Sequence, residues 1–218
     1  MRIMRSIALL SLLAAPMAFA DTINVSSTGA GATTPGGADP NYTVTTPGGT
    51  TTQAIVIAPN SAWGAQPSFN PGGNNWINAS GSGTSTDPAG TYLYTTTFSL
   101  SGDLPNTAEI IGSFASDNGS FIELNGVPTG FVDPYGPPYS FNQFVSFDIT
   151  GGFVDGTNTL TFVVMNGNGT TDLAGPTGLI VNIDSATASP VPEPASIALL
   201  GSGLLSVAGM ARRKFRRS

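Results

Sequence analysis

The stretch Thr91-Tyr92-Leu93-Tyr94-Thr95-Thr96-Thr97-Phe98-Ser99-Leu100 decides how the rest of the chain is read. Tyr92, Tyr94, Thr96, Phe98 and Leu100 occupy every second position, so in extended backbone they share one face. A period of two sustained over such a run marks a half-buried β-strand. Working outward, alternating or β-rich runs recur at 22–26, 42–46, 53–58, 108–115, 121–124, 144–149, 159–165 and 178–183. No stretch holds a 3.6-residue period. The segments between them are rich in Gly, Asn, Pro and Thr, which punctuate turns or favour strands. Asn118-Gly119 and Asn125-Gly126 are hairpin signals, the second directly after 121–124. The pattern predicts one all-β domain, an antiparallel β-sandwich over 21–184. The Gly/Thr/Pro-rich region 27–52 reads as loops between short edge strands, and 185–191 as a linker.

Charge placement excludes whole classes of function. From Asp21 to Pro192 the chain carries ten Asp and two Glu with no Lys or Arg, a formal charge of −12; every cation is terminal. A body without cations cannot neutralise phosphates, which removes nucleic-acid binding and a P-loop. With no His and no Cys there is no zinc site, disulfide, Ser-His-Asp triad or thiol nucleophile. Stability must come from the core, and a body of this length buries about 70% of its unfolded surface.

The two ends read as addresses. Residues 1–20 begin with Arg2 and Arg5, continue through an apolar run and finish Ala18-Phe19-Ala20, the three parts of a cleavable signal peptide. At the other end, Pro192-Glu193-Pro194 precedes an uncharged stretch over 195–211, and then Arg212, Arg213, Lys214, Arg216 and Arg217. Seventeen uncharged residues are at the short end of a transmembrane helix, and the basic tail would stay cytoplasmic.

The order Pro-Glu-Pro, apolar span, Arg-rich tail over 192–218 resembles the PEP-CTERM sorting signal of Gram-negative, exopolysaccharide-producing bacteria. The resemblance implies recognition of Pro192, Glu193 and Pro194 by an exosortase, a membrane transpeptidase. It also implies a protein anchored in the inner membrane by its C-terminal helix, body in the periplasm, and then moved to the cell surface or matrix.

Within the body, Phe114-Ala115-Ser116-Asp117-Asn118-Gly119-Ser120-Phe121-Ile122-Glu123-Leu124-Asn125-Gly126-Val127 carries a second resemblance, joined by Gly156-Thr157-Asn158-Thr159-Leu160 and Gly175-Pro176-Thr177-Gly178-Leu179. These stretches resemble the galactose-binding-like jelly roll found in carbohydrate-binding modules and accessory domains of glycosidases. The resemblance implies either a sugar binder or an inert structural module.

Sugar sites use flat rings that stack on pyranose C–H faces, beside Asn and Asp that take hydroxyls. Trp63, Trp76, Tyr135 and Tyr139 lie in Pro/Gly/Asn-rich segments where exposed rings are expected; 131–139 is the leading loop. Asp117, Asn118, Asn166 and Asn168 are the accompanying polar candidates, with local turn stabilisation as the competing role for Asp117 and Asn125. Calcium is the one metal whose hard-oxygen ligands the composition supplies, yet Asp103, Asp155 and Asp172 are isolated, so no metal or other cofactor is assigned. Catalysis would need a carboxylate pair as in glycoside hydrolysis, Asp117 with Glu123 or Glu109 with Asp148. The sequence therefore favours a non-catalytic, carbohydrate-binding-like surface protein whose partners are the exosortase and surface polysaccharide. A structural or adhesive matrix protein without a ligand is the alternative, and a carboxylate-pair hydrolase a remote one.

Overall fold

The fold was obtained as a computed structural model, which describes residues 20–32, 34–66, 68–71, 73–136, 140–167, 174–192, 201–206 and 212. Residues 1–19 of the expected signal peptide 1–20, and Glu193, Pro194, 195–200, 207–211 and 213–218 of the sorting segment with its expected transmembrane helix, lie outside the described residues. Ala20–Val191 is one compact unit. Its strands are β1 (Asp21–Thr22), β2 (Ala38–Thr45), β3 (Thr51–Val56), β4 (Ile77–Asn78), β5 (Gly90–Ser99), β6 (Glu109–Asp117), β7 (Gly119–Leu124), β8 (Val127–Asp133), β9 (Val145–Ile149), β10 (Thr157–Asn166) and β11 (Gly178–Ala188).

All pairings are antiparallel, in the order β8-β7-β10-β5-β2-β3-β4-β11-β6-β9, with β1 on β11. The path folds over at the short β3–β4 seam, because strands far apart along it meet through their side chains. Phe162 of β10 packs on Phe114 of β6 and Phe147 of β9, with ring centroids 5.6 and 6.2 Å apart; Phe131 of β8 meets Phe147 at 6.3 Å. The result is a two-layer sandwich, and the all-β antiparallel expectation holds. In β5, Tyr92, Tyr94, Thr96 and Phe98 are buried as their alternation requires, and Leu100 follows them into the core.

The structure corrects four local readings. β2 and β3 are interior strands between β5 and β4, so 27–52 belongs to the sandwich and supplies no edge. Asn125-Gly126 does close a hairpin, both residues having positive φ (54° and 77°), whereas Asn118-Gly119 joins β6 to β7, which lie in different layers. β8 escapes a propensity reading because Pro128 and Gly130 interrupt it; an edge strand tolerates both. Residues 185–191 are not a linker. β11 runs to Ala188, Leu104 N–H donates to the Ser189 carbonyl at 2.8 Å, Ser189 N–H to Thr107 Oγ1 at 2.8 Å, and Val191 N–H to the Gly102 carbonyl at 2.8 Å. In the sorting segment, 201–206 is helical; among the described residues no helix is long and apolar enough to cross a membrane.

Candidate functional site

The best-organised polar cluster lies where β6 passes to β7. Ser116 Oγ sits 2.7 Å from the Asn118 carbonyl, 2.6 Å from Ser120 Oγ and 3.3 Å from Asp133 Oδ2. Asp117 Oδ2 accepts Trp63 Nε1–H at 2.7 Å and Asp117 Oδ1 accepts Asn118 Nδ2–H at 2.6 Å. Asn118 Oδ1 in turn accepts Gly167 N–H at 2.9 Å, and Ser140 Oγ donates to the Asn118 carbonyl. Burial is the main cause that raises both carboxyls, Asp117 to about 6 and Asp133 to about 7; donors from Trp63 and Ser116 offset part of it.

The two tryptophans are inside, contrary to the expectation of exposed platforms. Trp63 is 1% exposed and Trp76 fully buried, their rings 4.3 Å apart and tilted by 34°. They cover the back of the β6/β11 layer with Ile57, Ala115 and Ile180, a second small core. The physical reason is that this layer's outer face is apolar at Ala115 and Ile180, and the 57–76 segment is folded across it. Gly178 makes the approach possible, since a Cβ there would lie 3.0 Å from the Trp63 ring. Asn166 is likewise a clasp and not a sugar contact: it is buried, and its Nδ2 donates to the carbonyls of Asp87, Pro88 and Gly175 at 3.0, 3.0 and 3.2 Å. Asn125 performs the turn role, donating to Gly152 O and Asn158 Oδ1 and accepting Thr159 N–H.

Tyr135 is 51% exposed. Its backbone N lies 2.9 Å from where a Cβ on Gly119 would stand, so only glycine lets this segment rest against β7. Tyr139 and Asn168 lie outside the described residues. Among the described residues no three carboxylates converge as a metal site would require. Of the nominated carboxylates, Asp117 is locked under the indole of Trp63 and Glu123 is paired across strands with Thr161, whereas Glu109 and Asp148 are diagonal neighbours on one face of the β6–β9 pair, Ile111 standing opposite Asp148. A groove of about 410 Å³ beside Phe131, Leu124 and Ile149 holds one carboxylate, Asp148.

Fold and chain end together define a β-sandwich body whose last hydrogen-bonded residue is followed directly by a Pro-Glu-Pro segment. Residues 190–217 match the PEP-CTERM protein-sorting motif, so the chain carries the sorting signal of an exported protein processed by an exosortase. The first two residues of that match, Pro190 and Val191, belong to the docked end of the body. No curated protein matches the chain. Among solved structures, it is similar to the CBM36-1 domain of a multidomain xylanase from the hindgut metagenome of Trinervitermes trinervoides. There identity is 15%, with a TM-score of 0.28, 69% of this chain and 98% of that one covered. A rhamnosidase from Novosphingobium sp. PP1Y matches at 15% identity and TM-score 0.28, over 78% of this chain and 16% of its own.

Proposed function

We propose that the protein is an exported surface or matrix protein, delivered through its C-terminal sorting signal, with a non-catalytic sandwich that binds polysaccharide. The observation that carries this reading is the sorting match over 190–217 attached without a spacer to a closed all-β body. Exposed Tyr135 supports a sugar contact, and the locking of Asp117 under Trp63 supports a body in which that carboxylate does no acid–base chemistry. A second reading, a structural or adhesive matrix protein with no ligand, is favoured by the burial of Trp63 and Trp76. On either reading a membrane-anchored form with the body in the periplasm precedes release to the surface of a Gram-negative cell.

The test of delivery is Glu193→Ala in the full chain. The variant is expected to remain uncleaved in the membrane fraction, while wild type is shortened and leaves it. Processing at the wild-type rate would sink the sorting role.

A further inference from the structure

Strand register assembles a surface that the alternation of β5 alone does not reveal. Across six strands, Val132, Phe121, Val163, Leu93, Thr45 and Thr51 are successive cross-strand partners. They lie on the face opposite their neighbours Ile122, Phe162, Tyr94, Tyr92 and Val44, which fill the core; Val132 is exposed, Phe121, Leu93 and Thr45 are half-buried, and Val163, at the centre of the row, is only 6% exposed. One row further along, Glu123, Thr161, Thr95, Thr43 and Gln53 are likewise partners, with Thr95 Oγ1 and Thr161 Oγ1 3.1 Å apart. On the other side Met165, 40% exposed, pairs with Thr91 and with Gly119, against which Tyr135 rests. The outer face of the β8-β7-β10-β5-β2-β3 layer thus carries an apolar stripe with an aromatic at one end, bordered by a row of hydroxyls and amide. Its three rows hold a single charge, Glu123, on a body of formal charge −12.

We infer that this face is the docking surface for a neutral polysaccharide chain, lying across the strands along the Val132–Leu93 stripe. The inference rests on the carbohydrate-binding reading above and names its surface. Charge selects the occupant. An anionic membrane or acidic glycan meets repulsion from the surrounding carboxylates, and a basic protein finds almost no counter-charge on the face itself. Area argues against a second copy. Six strands at about 4.8 Å and three rows of side chains make a face of about 24 by 20 Å, roughly 500 Å² per partner. A stable dimer buries about 800 Å² per partner, and two bodies of −12 repel. A neutral glycan needs less. Its pyranose C–H faces pack on Tyr135, Phe121, Met165 and Val132, while Thr95 and Thr161 exchange hydrogen bonds with its hydroxyls.

The test uses residues 20–191, whose core and hydrogen-bond network close within that range, and three probes: microcrystalline cellulose, neutral xylan and anionic alginate. Wild type is expected to be retained by a neutral probe, insensitively to salt, and not by alginate. Met165→Asp and Val132→Asp, both at exposed positions, should weaken retention about tenfold with unchanged thermal midpoints. Val154→Asp, an exposed apolar position outside these rows, should leave retention unchanged. Retention of both face variants at wild-type strength overturns the surface assignment while leaving carbohydrate binding intact. A dimer in sedimentation that Met165→Asp abolishes, without glycan retention, would assign the face to a second copy. Absence of retention on every probe, from protein with a normal thermal midpoint, overturns both the surface and the carbohydrate reading.

Discussion

The body should be more stable in mild acid than at neutral pH, the reverse of a protein held by salt bridges. The perturbation is pH, and the groups followed are Asp117 and Asp133; burial raises Asp39 as well, which adds in the same direction. Both are buried beside Ser116, and residues 21–192 supply no cation to face them. In the unfolded chain each titrates near the ordinary 3.8; folded, they stand at about 6 and about 7. Below pH 4 both states hold these protons and the folded state is fully favoured. As pH rises from about 4 to about 7 the unfolded chain releases them first, so stability falls across that window and levels off above it. At about 1.4 kcal/mol per pH unit, carboxyls moved from 3.8 to about 6 and about 7 would together be worth about 7 kcal/mol; water access and relaxation reduce the usable effect to ~3 kcal/mol. For a domain of this size that is a fall in thermal midpoint of roughly 6–12 °C between pH 4.5 and 8. Thermal denaturation of residues 20–191 in 0.5 M NaCl, which screens surface repulsion, measures it. The double variant Asp117→Asn, Asp133→Asn should make the curve shallower, Asp39 keeping part of the slope. A midpoint that is level or rises from pH 4.5 to 8, or a double variant with the wild-type slope, refutes the reasoning.

Two further outcomes follow from the docked end and the tryptophan pair. Because three hydrogen bonds hold 189–191 on the 102–107 turn, the Ser189 and Val191 amides should exchange at least tenfold more slowly than free chain. Thr107→Val, which removes the acceptor for Ser189 N–H, should abolish that protection and speed processing of the full chain; exchange at the free-chain rate in wild type would show the end undocked. Trp63→Phe keeps most of the ring packing on Trp76 and leaves Asp117 Oδ2 without its indole donor. It should cost about 1–3 kcal/mol by urea denaturation at pH 8 and much less at pH 4.5, where a protonated Asp117 has less need of a donor; equal losses at both pH values would count against the bond.

The strands that carried β-branched or aromatic alternation were legible because their signal is local. β5, β10 and β11 differ from their sequence boundaries by a few residues, and the Asn125-Gly126 hairpin follows from the positive φ that both positions adopt. What stayed hidden was set by partners distant in sequence. β4 is two residues long and exists only because Ile77 finds Val56 and Leu179. β8 is a strand despite Pro128 and Gly130 because β7 supplies its ladder. Trp63 sits in a segment that composition marks as an open loop, and nothing local to it announces that Gly178, far along the chain, leaves room for its ring. The apolar stripe was equally invisible, since Phe121, Val163, Leu93 and Val132 come from four strands and become neighbours only through register. The exposure of Tyr135 was legible because it follows from the turn residues around it.

A body without a single cation must still bury carboxylates, and the way it does so unites its chemistry with its setting. Asp39 accepts the N–H groups of Gly29 and Asn41, Asp87 the hydroxyl of Ser85, Asp117 the indole of Trp63 and amide of Asn118, and Asp133 lies against Ser116. Every one of these named donors is neutral. An ion pair would weaken as ionic strength rises, whereas hydrogen bonds from neutral donors inside a protein are screened far less. The same substitution explains the abundance of Asn, Ser and Thr at the turns: Asn158, fully buried, uses its side chain to bond the backbone at Val154 and Gly156. Such a body should tolerate changes in salt and answer to protons instead, a division that suits an exported protein. It also leaves residues 21–192 without cations, so the outer face of the β8-β7-β10-β5-β2-β3 layer, with Glu123 as the single charge in its three rows, would offer a neutral partner little electrostatic resistance.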